Sequence, residues 1–171
     1  MVTKEIISPE AVKTLGKKKI DENIKFRTFL KGRADSDILD DQFKKLHEKY
    51  FKNYDCFSCR NCCKELGPEI NVQELEELSA YLELPRDEFI DSYLREDNGS
   101  YSSKNSPCDF LCNNECILND RKPMSCKDYP YTDKEERLYS LLGVIQNAEI
   151  CPIVYEIIEE LKEIYNFKSY N

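Results

Sequence analysis

Nine cysteines are the residues of this chain whose type and spacing could do chemistry, and four of them lie within eight positions. The stretch CFSCRNCC, residues 56–63, has the pattern C-x2-C-x2-C-C. A C-x2-C step lets a tight turn direct two thiolates at one ion, because the intervening backbone curls around the metal. Two consecutive steps predict that Cys56, Cys59 and Cys62 lie together in one loop. Successive side chains diverge, so we expect Cys63 to serve a second site.

The remaining cysteines follow in two later stretches. The segment CDFLCNNECILNDRKPMSC, residues 108–126, contains four of them. The ninth cysteine, Cys151, directly precedes Pro152. Two sites of four thiolates would use eight cysteines, and Cys112 is our candidate for the one left over. The alternative is that a cysteine is a free thiol buried as a small apolar residue, which applies best to those isolated in sequence, Cys126 and Cys151. The predicted metal ligands are Cys56, Cys59, Cys62, Cys63, Cys108, Cys116, Cys126 and Cys151.

The identity of the metal stays open between zinc and iron. Four-coordinate sites made only of thiolates suit both zinc and iron–sulfur clusters. The C-x2-C-x2-C run with a remote Cys-Pro is similar to a ferredoxin cluster run, which would make the cofactor a [4Fe-4S] cluster. Pairs of C-x2-C cysteines are equally routine in zinc fingers. We therefore expect one or two four-cysteine sites that hold zinc or iron.

Disulfides are disfavoured by the compartment that the sequence indicates. The N-terminal stretch MVTKEIISPEAVKTLGKKKI breaks its apolar residues with charges and has no signal-peptide core. We therefore expect a cytoplasmic location, where thiols are kept reduced. An odd cysteine count and the adjacent Cys62 and Cys63 also fit poorly with a disulfide framework. No apolar run approaches the roughly 20 residues of a membrane span, so no membrane partner is expected.

The net charge of −8 is unevenly distributed. Residues 1–55 carry about +3, whereas residues 56–171 carry about −11. An acidic body of this kind should repel a phosphate backbone, so we expect no nucleic-acid partner. The basic stretch GKKKIDENIKFRTFLKGR could contact an acidic protein partner, although a solvated helix face is the commoner explanation of such a stretch.

Helix signals dominate the chain and predict a mainly α fold, a small helical domain with long cysteine-bearing loops organised around metal sites. Predicted helices begin at Ser8-Pro9, near Ser36 or Asp37, at Asn71 with Glu74 as a capping box, at Pro85 and at Pro152. The segment 96–107 reads as a polar loop. Residues 137–146, RLYSLLGVIQ, are the best strand candidate, with a short helix as the alternative.

Two domains are predicted from these elements and the charge. Residues 1–50 form an N-terminal helical arm, and residues 51–171 form a cysteine-cluster metal-binding domain. The protein partner suggested by the basic stretch would bind through this arm. Catalytic residues stay unknown: His47 is the only histidine, and on a helix beside Phe43, Leu46 and Tyr50 it is more typical of packing than of catalysis.

The cysteine pattern resembles the YkgJ-type cysteine-cluster family, described as a zinc- or iron-chelating domain. The resemblance rests on CFSCRNCC, on CDFLCNNECILNDRKPMSCKDYP and on CPIVYEIIEELK, and it covers about residues 50–165. It implies that the family's cysteines correspond to the eight predicted ligands, with Cys112 outside the pattern. Lys122 and Lys127 stand where the family usually has arginine, and Asn119 where a tyrosine is expected. Because arginine and lysine bind anions differently, any role of those arginines does not transfer.

One branch of this family resembles flagellin lysine N-methylases, which implies an alternative function as an S-adenosylmethionine-dependent protein-lysine methyltransferase. The residues themselves offer little for it, because the chain has only five glycines and no G-x-G loop to hold a nucleotide. The primary prediction is therefore a metal-binding protein of unassigned pathway, with structural or redox sites, and whether it is an enzyme stays open.

Overall fold

The computed structural model describes residues 6–169, of which 59% are helical, so the predicted mainly α class is confirmed. In chain order the elements are α1 Pro9–Arg33, α2 Ser36–Phe51, α3 Cys56–Cys59, α4 Asn61–Glu65, β1 Glu69–Ile70, α5 Val72–Tyr81, α6 Arg86–Tyr93, β2 Leu94–Asp97, β3 Ser100–Ser103, β4 Leu111–Cys112, β5 Glu115–Cys116, α7 Met124–Asp128, α8 Arg137–Asn147 and α9 Pro152–Ile164.

The chain forms two compact units. Unit 1 comprises Met1–Cys59 and Pro130–Asn171, and unit 2 comprises Arg60–Tyr129. The division predicted from the sequence, into residues 1–50 and 51–171, differs from this one and stays a prediction. Residues 1–5 and 170–171, which those predicted ranges include, lie outside the described residues.

Unit 1 is built from helices that bury one shared apolar core. Helices α1 and α2 both pack against α8 and α9. Phe26, Leu30, Phe43, Ile157 and Leu161 are among the buried side chains of this core, each no more than 2% exposed. The predicted starts of α1, α2 and α9 are confirmed: the Ser8 side chain caps α1, α2 begins at Ser36, and a proline occupies the first position of α1 and of α9.

For residues 137–146 the strand prediction is wrong and the alternative, a short helix, is confirmed, because this segment forms helix α8. Leu141, Val144 and Ile145 are buried and recur at helical spacing, so packing outweighs the strand preference of Val and Ile. Its own N-cap residue, Glu136, makes no side-chain cap. The Asp40 carboxylate on α2 caps the helix instead, because it accepts hydrogen bonds from the backbone N–H groups of Glu136 (2.6 Å) and Arg137 (2.8 Å).

Unit 2 packs short elements around a small core. Strands β1, β3 and β2 form an antiparallel sheet in that order, and β4 and β5 form a separate hairpin. Leu75, Phe89, Leu94, Phe110 and Leu118 lie at the centre of the core and are at most 1% exposed. The capping box predicted at Asn71 and Glu74 is confirmed, with both reciprocal hydrogen bonds present.

The polar loop predicted at residues 96–107 is also wrong, because most of it belongs to the β2–β3 hairpin. Asn98 and Gly99 connect the strands with φ values of 52° and 83°. Asn-Gly is the commonest pair for such a two-residue turn, since both positions need positive φ. The segment's polar composition concealed the strands, because much of the hairpin is exposed.

No helix within residues 6–169 has the length and apolar character needed to cross a bilayer.

Gly16 allows α1 to approach the turn after α8 very closely. A Cβ atom at this position would lie 2.7 Å from the Ala148 carbonyl oxygen and 2.7 Å from the Glu149 Cα atom.

Because both are backbone atoms, which cannot move aside easily, Gly16→Ala should lower the free energy of unfolding by about 1–3 kcal/mol, measured by urea denaturation. Gly32→Ala is the matched control in the same helix, where a Cβ meets nothing within 4 Å. Gly32→Ala should raise the free energy of unfolding by up to about 1 kcal/mol. An equal decrease of the free energy of unfolding in both variants would contradict the close packing at Gly16.

A second prediction concerns the ion-pair cluster between α1 and α9. The Lys162 ammonium, whose side chain is 7% exposed, lies 2.7 Å from Glu22 and 2.5 Å from Glu159. Lys19 lies 3.0 Å from Glu22. Partial burial would raise the pKa of Glu22, but hydrogen bonds from Lys162 and Lys19 outweigh it and hold this pKa below its usual value.

A lowered carboxyl pKa stabilises the folded state above the unfolded-state pKa, and this contribution disappears as the pH falls through the folded-state value. Glu22→Gln should therefore cost about 1 kcal/mol of unfolding free energy at neutral pH, and nearly nothing well below pH ~4. Denaturation curves at both pH values measure the difference, with the exposed neighbour Asp21→Asn as control. A loss in Glu22→Gln that does not change with pH would refute this account.

Candidate metal centre

Three cysteines of unit 1 lie near one another. Helix α3 carries Cys56 and Cys59 one turn apart, so their side chains share a face. The Asp55 carboxylate holds the start of this turn by accepting a hydrogen bond from the Phe57 backbone N–H at 2.8 Å. Cys151 is the N-cap residue of α9 and is 8% exposed.

The electrostatics of these thiols show their proximity. Burial raises the pKa of the Cys151 thiol to about 12, and the Cys56 and Cys59 thiols contribute to the rise. The hydroxyl of Tyr54 is buried beside them. Burial and the nearby thiols of Cys59, Cys151 and Cys56 raise the pKa of Tyr54. Unit 1 therefore gathers three thiols and one phenol in a region from which water is partly excluded.

Four cysteines of unit 2 form a second set. Cys63 lies on α4, Cys116 on β5 and Cys126 on α7, while Cys108 follows the β2–β3 hairpin. A backbone hydrogen bond of 2.8 Å from the Cys108 N–H to the Cys63 carbonyl joins two of these segments directly.

Within this second set the thiols also affect one another. Burial raises the pKa of Cys126 to about 12, with Cys63, Cys108 and Cys116 contributing. The residue Cys126 as a whole is nevertheless exposed to solvent. Burial likewise raises the pKa of Cys108, and Cys63 and Cys116 add to the effect. All four thiols therefore border a common region of unit 2.

The pKa of Cys63 is shifted in the opposite direction, because its surroundings favour the thiolate over the thiol. A hydrogen bond from Cys62 and the positive charges of Arg60 and Lys122 lower the pKa of Cys63 to about 6, against the effect of burial. Since metals bind the thiolate and not the thiol, a lowered pKa supplies one ready ligand near neutral pH.

A polar network fixes the backbone around Cys108. The Asp109 carboxylate accepts hydrogen bonds from the Ser103 hydroxyl at 2.7 Å and from the Asn105 side chain at 2.6 Å. It also accepts one from the Asn105 backbone N–H at 2.9 Å. The Asp109 N–H returns a hydrogen bond to the Ser103 hydroxyl at 3.1 Å. Cys108 is therefore held by the residue that follows it.

All nine cysteines carry free thiols. Among the side chains of residues 6–169, no group of three or more His, Cys, Asp and Glu is arranged so that it could hold a metal ion. The donor chemistry nevertheless fits a thiophilic metal, because each set offers several neighbouring sulfurs in a partly desolvated region. The cysteines were expected on long loops, but those of residues 56–63 lie on the short helices α3 and α4 and Cys126 lies on α7.

Comparison with known families agrees with this cysteine arrangement. The model of the CxxCxxCC family, described as a "Putative zinc- or iron-chelating domain", matches residues 55–152. This chain belongs to the CxxCxxCC family. The matched segment begins one residue before Cys56 and ends one residue after Cys151, so it contains every cysteine of the chain. The family named from the sequence is thereby confirmed.

A curated relative of this CxxCxxCC protein is the uncharacterized protein MJ0661 of Methanocaldococcus jannaschii, 27% identical over 104 residues. The alignment covers 61% of this chain and 53% of the relative, so the chain matches about half the length of that protein. No solved structure matches the chain.

The predicted ligands separate into the two sets described above, with Cys62 hydrogen-bonded to Cys63. Cys112, the predicted spare, lies exposed on β4. The sequence analysis missed Tyr54, which lies beside the three thiols of unit 1, and Asp109, which holds the segment of Cys108. Both contacts are tertiary, so residue spacing does not predict them. The sequence analysis also treated Glu74 only as a helix cap. His47 packs, as predicted: its Nδ1 atom lies 2.8 Å from the Thr132 hydroxyl, and its ring lies 4.4 Å from that of Phe51.

The polar network at Cys108 generates a testable prediction. Asp109→Ala leaves the Ser103 hydroxyl and the Asn105 groups without their shared acceptor, so the free energy of unfolding should fall by about 1–3 kcal/mol. Urea denaturation measures this loss, and Asp91→Ala, an exposed carboxylate on α6, is the control. Equal stability of the two variants would show that the network does not hold the Cys108 segment.

Proposed function

We propose that this CxxCxxCC protein binds zinc or iron at two cysteine sites, one in each compact unit. The site in unit 2 uses Cys63, Cys108, Cys116 and Cys126. The site in unit 1 uses Cys56, Cys59 and Cys151. Cys62 stays a proposed ligand beside Cys63, and Cys112 is not a ligand.

One observation carries the proposal: thiols from four separate segments of unit 2 lie close enough to interact, because Cys63 and Cys116 raise the pKa values of Cys108 and Cys126. Several thiolates cannot be charged side by side in a partly buried region unless a cation compensates them. Four sulfurs are also the complete ligand set of a structural zinc site and of an iron–sulfur cluster. Apolar packing alone would not require the lowered pKa of Cys63, because an inert buried cysteine has a raised pKa.

The unit 1 set supports the second site less fully, since it supplies three thiols. Cys56 and Cys59 have the C-x2-C spacing of a metal-binding turn, and Cys151 reaches them from a distant part of the sequence. A three-ligand metal keeps one coordination position for water or another donor.

The role proposed for these sites is structural or redox in an unassigned pathway. Bound zinc would supply a fixed cross-link between segments, and a [4Fe-4S] cluster would supply one-electron chemistry. A cytoplasmic location is part of this proposal, because free thiols persist in a reducing compartment. A protein partner that binds residues 1–50 also remains a proposal. The methyltransferase alternative rests on family resemblance alone, and no contact among the described residues favours it.

Metal content tests the proposal. Protein purified without oxygen should contain zinc or iron by elemental analysis, and its absorption spectrum should separate a coloured iron–sulfur cluster from colourless zinc. Cys126→Ser and Cys59→Ser should each remove the metal of one unit. If the sites are structural, each variant should lose unfolding free energy, because apparent zinc binding in small domains is worth on the order of 10 kcal/mol.

Cys112→Ser is the matched control and should keep the full metal content and the melting temperature of the wild-type protein. Native protein without zinc or iron would refute the proposal. Loss of metal from Cys112→Ser equal to the loss from Cys126→Ser would refute the assignment of ligands. Removal of metal by a mild chelator with retention of fold would indicate exchangeable rather than structural sites.

A further inference from the structure

Cys126 lies on helix α7, which is too short to be stable without contacts from other elements. Helix α7 has five residues, and Pro123, its N-cap residue, makes no side-chain cap. An isolated helix of this length is unstable, because fixing the backbone of the first turn costs more free energy than the few hydrogen bonds of that turn contribute. Contacts from other elements of unit 2 must therefore fix the place of the Cys126 thiol.

The carboxylate of Glu74 supplies the first of these contacts. Its Oε1 atom accepts a hydrogen bond of 2.7 Å from the backbone N–H of Met124, the first residue of α7. Its Oε2 atom accepts one of 3.1 Å from the backbone N–H of Asn71, the N-cap residue of α5. A single carboxylate thus satisfies free N–H groups at the starts of two helices, where the helix dipole also favours a negative charge.

The neighbouring residue is anchored as well. The Ser125 hydroxyl donates a hydrogen bond of 2.7 Å to the Glu69 carbonyl oxygen on β1. Cys126 follows directly after these two anchored residues. The nearby Glu76 and Glu77 have other contacts, since Glu76 pairs with Arg86 and Glu77 accepts a hydrogen bond from Gln73. Glu74 is therefore the acidic residue of this helix that reaches α7.

We propose that Glu74 is a positioning residue for Cys126: its carboxylate fixes the start of α7 so that the thiol faces Cys63, Cys108 and Cys116. This inference rests on the proposed metal site of unit 2. Groups that orient a metal ligand from outside the coordination sphere commonly change metal affinity by about 10- to 100-fold when they are removed. A change of this size is expected for the unit 2 site on loss of the carboxylate.

The experiment compares Glu74→Ala with Asn71→Ala. The Asn71 side chain accepts a hydrogen bond from the Glu74 N–H at 2.9 Å, so both variants break the capping box of α5. Only Glu74→Ala also breaks the contact with Met124. Zinc affinity of the full-length protein is measured by competition with a chromophoric chelator. One zinc equivalent should bind about 10- to 100-fold more weakly in Glu74→Ala, whereas Asn71→Ala should stay close to wild type.

Amide hydrogen exchange in the metal-free protein gives a second readout that does not depend on metal. The Met124 and Cys126 amides should exchange faster in Glu74→Ala than in Asn71→Ala, because the anchor of α7 is lost. Glu74→Gln keeps one acceptor oxygen and should lie between wild type and Glu74→Ala. If Glu74→Ala does not fold, the comparison of Glu74→Gln with Asn71→Ala decides.

The outcomes separate this inference from the proposed function. Equal zinc affinity and equal amide exchange in the Glu74 and Asn71 variants would overturn the inference, while metal binding by the wild-type protein would leave the proposed function intact. Absence of zinc and iron binding in the wild type would overturn the proposed function and the inference together. Faster exchange without weaker zinc binding would show that Glu74 anchors α7 but does not position a ligand.

Discussion

The crowding of several thiols in a partly buried region is the constraint on which the other features of unit 2 depend. A buried thiolate is costly, and each added thiolate repels the others. The chain meets this constraint unevenly, since burial raises the pKa of Cys108 and Cys126 while Arg60 and Lys122 help to lower that of Cys63. A bound cation would offset this repulsion by attracting every thiolate. The arrangement therefore has a physical reason to bind metal that is independent of the family to which the chain belongs.

The two units differ in how much of their order comes from apolar packing. Unit 1 has two long helices, α1 and α2, whose core side chains are almost completely buried. Unit 2 has no helix longer than ten residues in the part of the chain that the structure describes. Its segments are joined by carboxylates that each accept several hydrogen bonds, as Asp109 and Glu74 do. Such contacts stabilise backbone positions precisely, but each contributes only about 1 kcal/mol, so a metal would add greatly to the stability of unit 2.

The sequence predicted those features that local chemistry controls. Helix starts were found because Ser8, Asn71 and the prolines act on their own neighbours. The cysteine pattern identified the family because ligand spacing is also local. The failures share another cause. Residues 137–146 have strand-forming types, yet they form a helix because Leu141, Val144 and Ile145 face the core of unit 1 and Asp40 caps the helix from α2. The β2–β3 hairpin was missed because its polar residues hide the strands.

The motif CFSCRNCC shows why spacing alone could not assign the ligands. Its steps Cys56–Cys59 and Cys59–Cys62 have the same length, so a rule based on spacing groups three cysteines together. The boundary between the compact units falls between Cys59 and Arg60, inside the motif. Arg60 also separates α3 from α4 with a φ of 52°, in the left-handed region that few residues other than glycine adopt. The second step is therefore not a continuation of the first turn. Each end of the motif has cysteine neighbours from later in the chain. Cys151 lies beside the first pair, and Cys108, Cys116 and Cys126 lie beside Cys63.

The partners of the motif's cysteines are therefore set by tertiary contacts with residues more than forty positions later in the sequence. For this reason the motif by itself does not explain the two adjacent cysteines at its end.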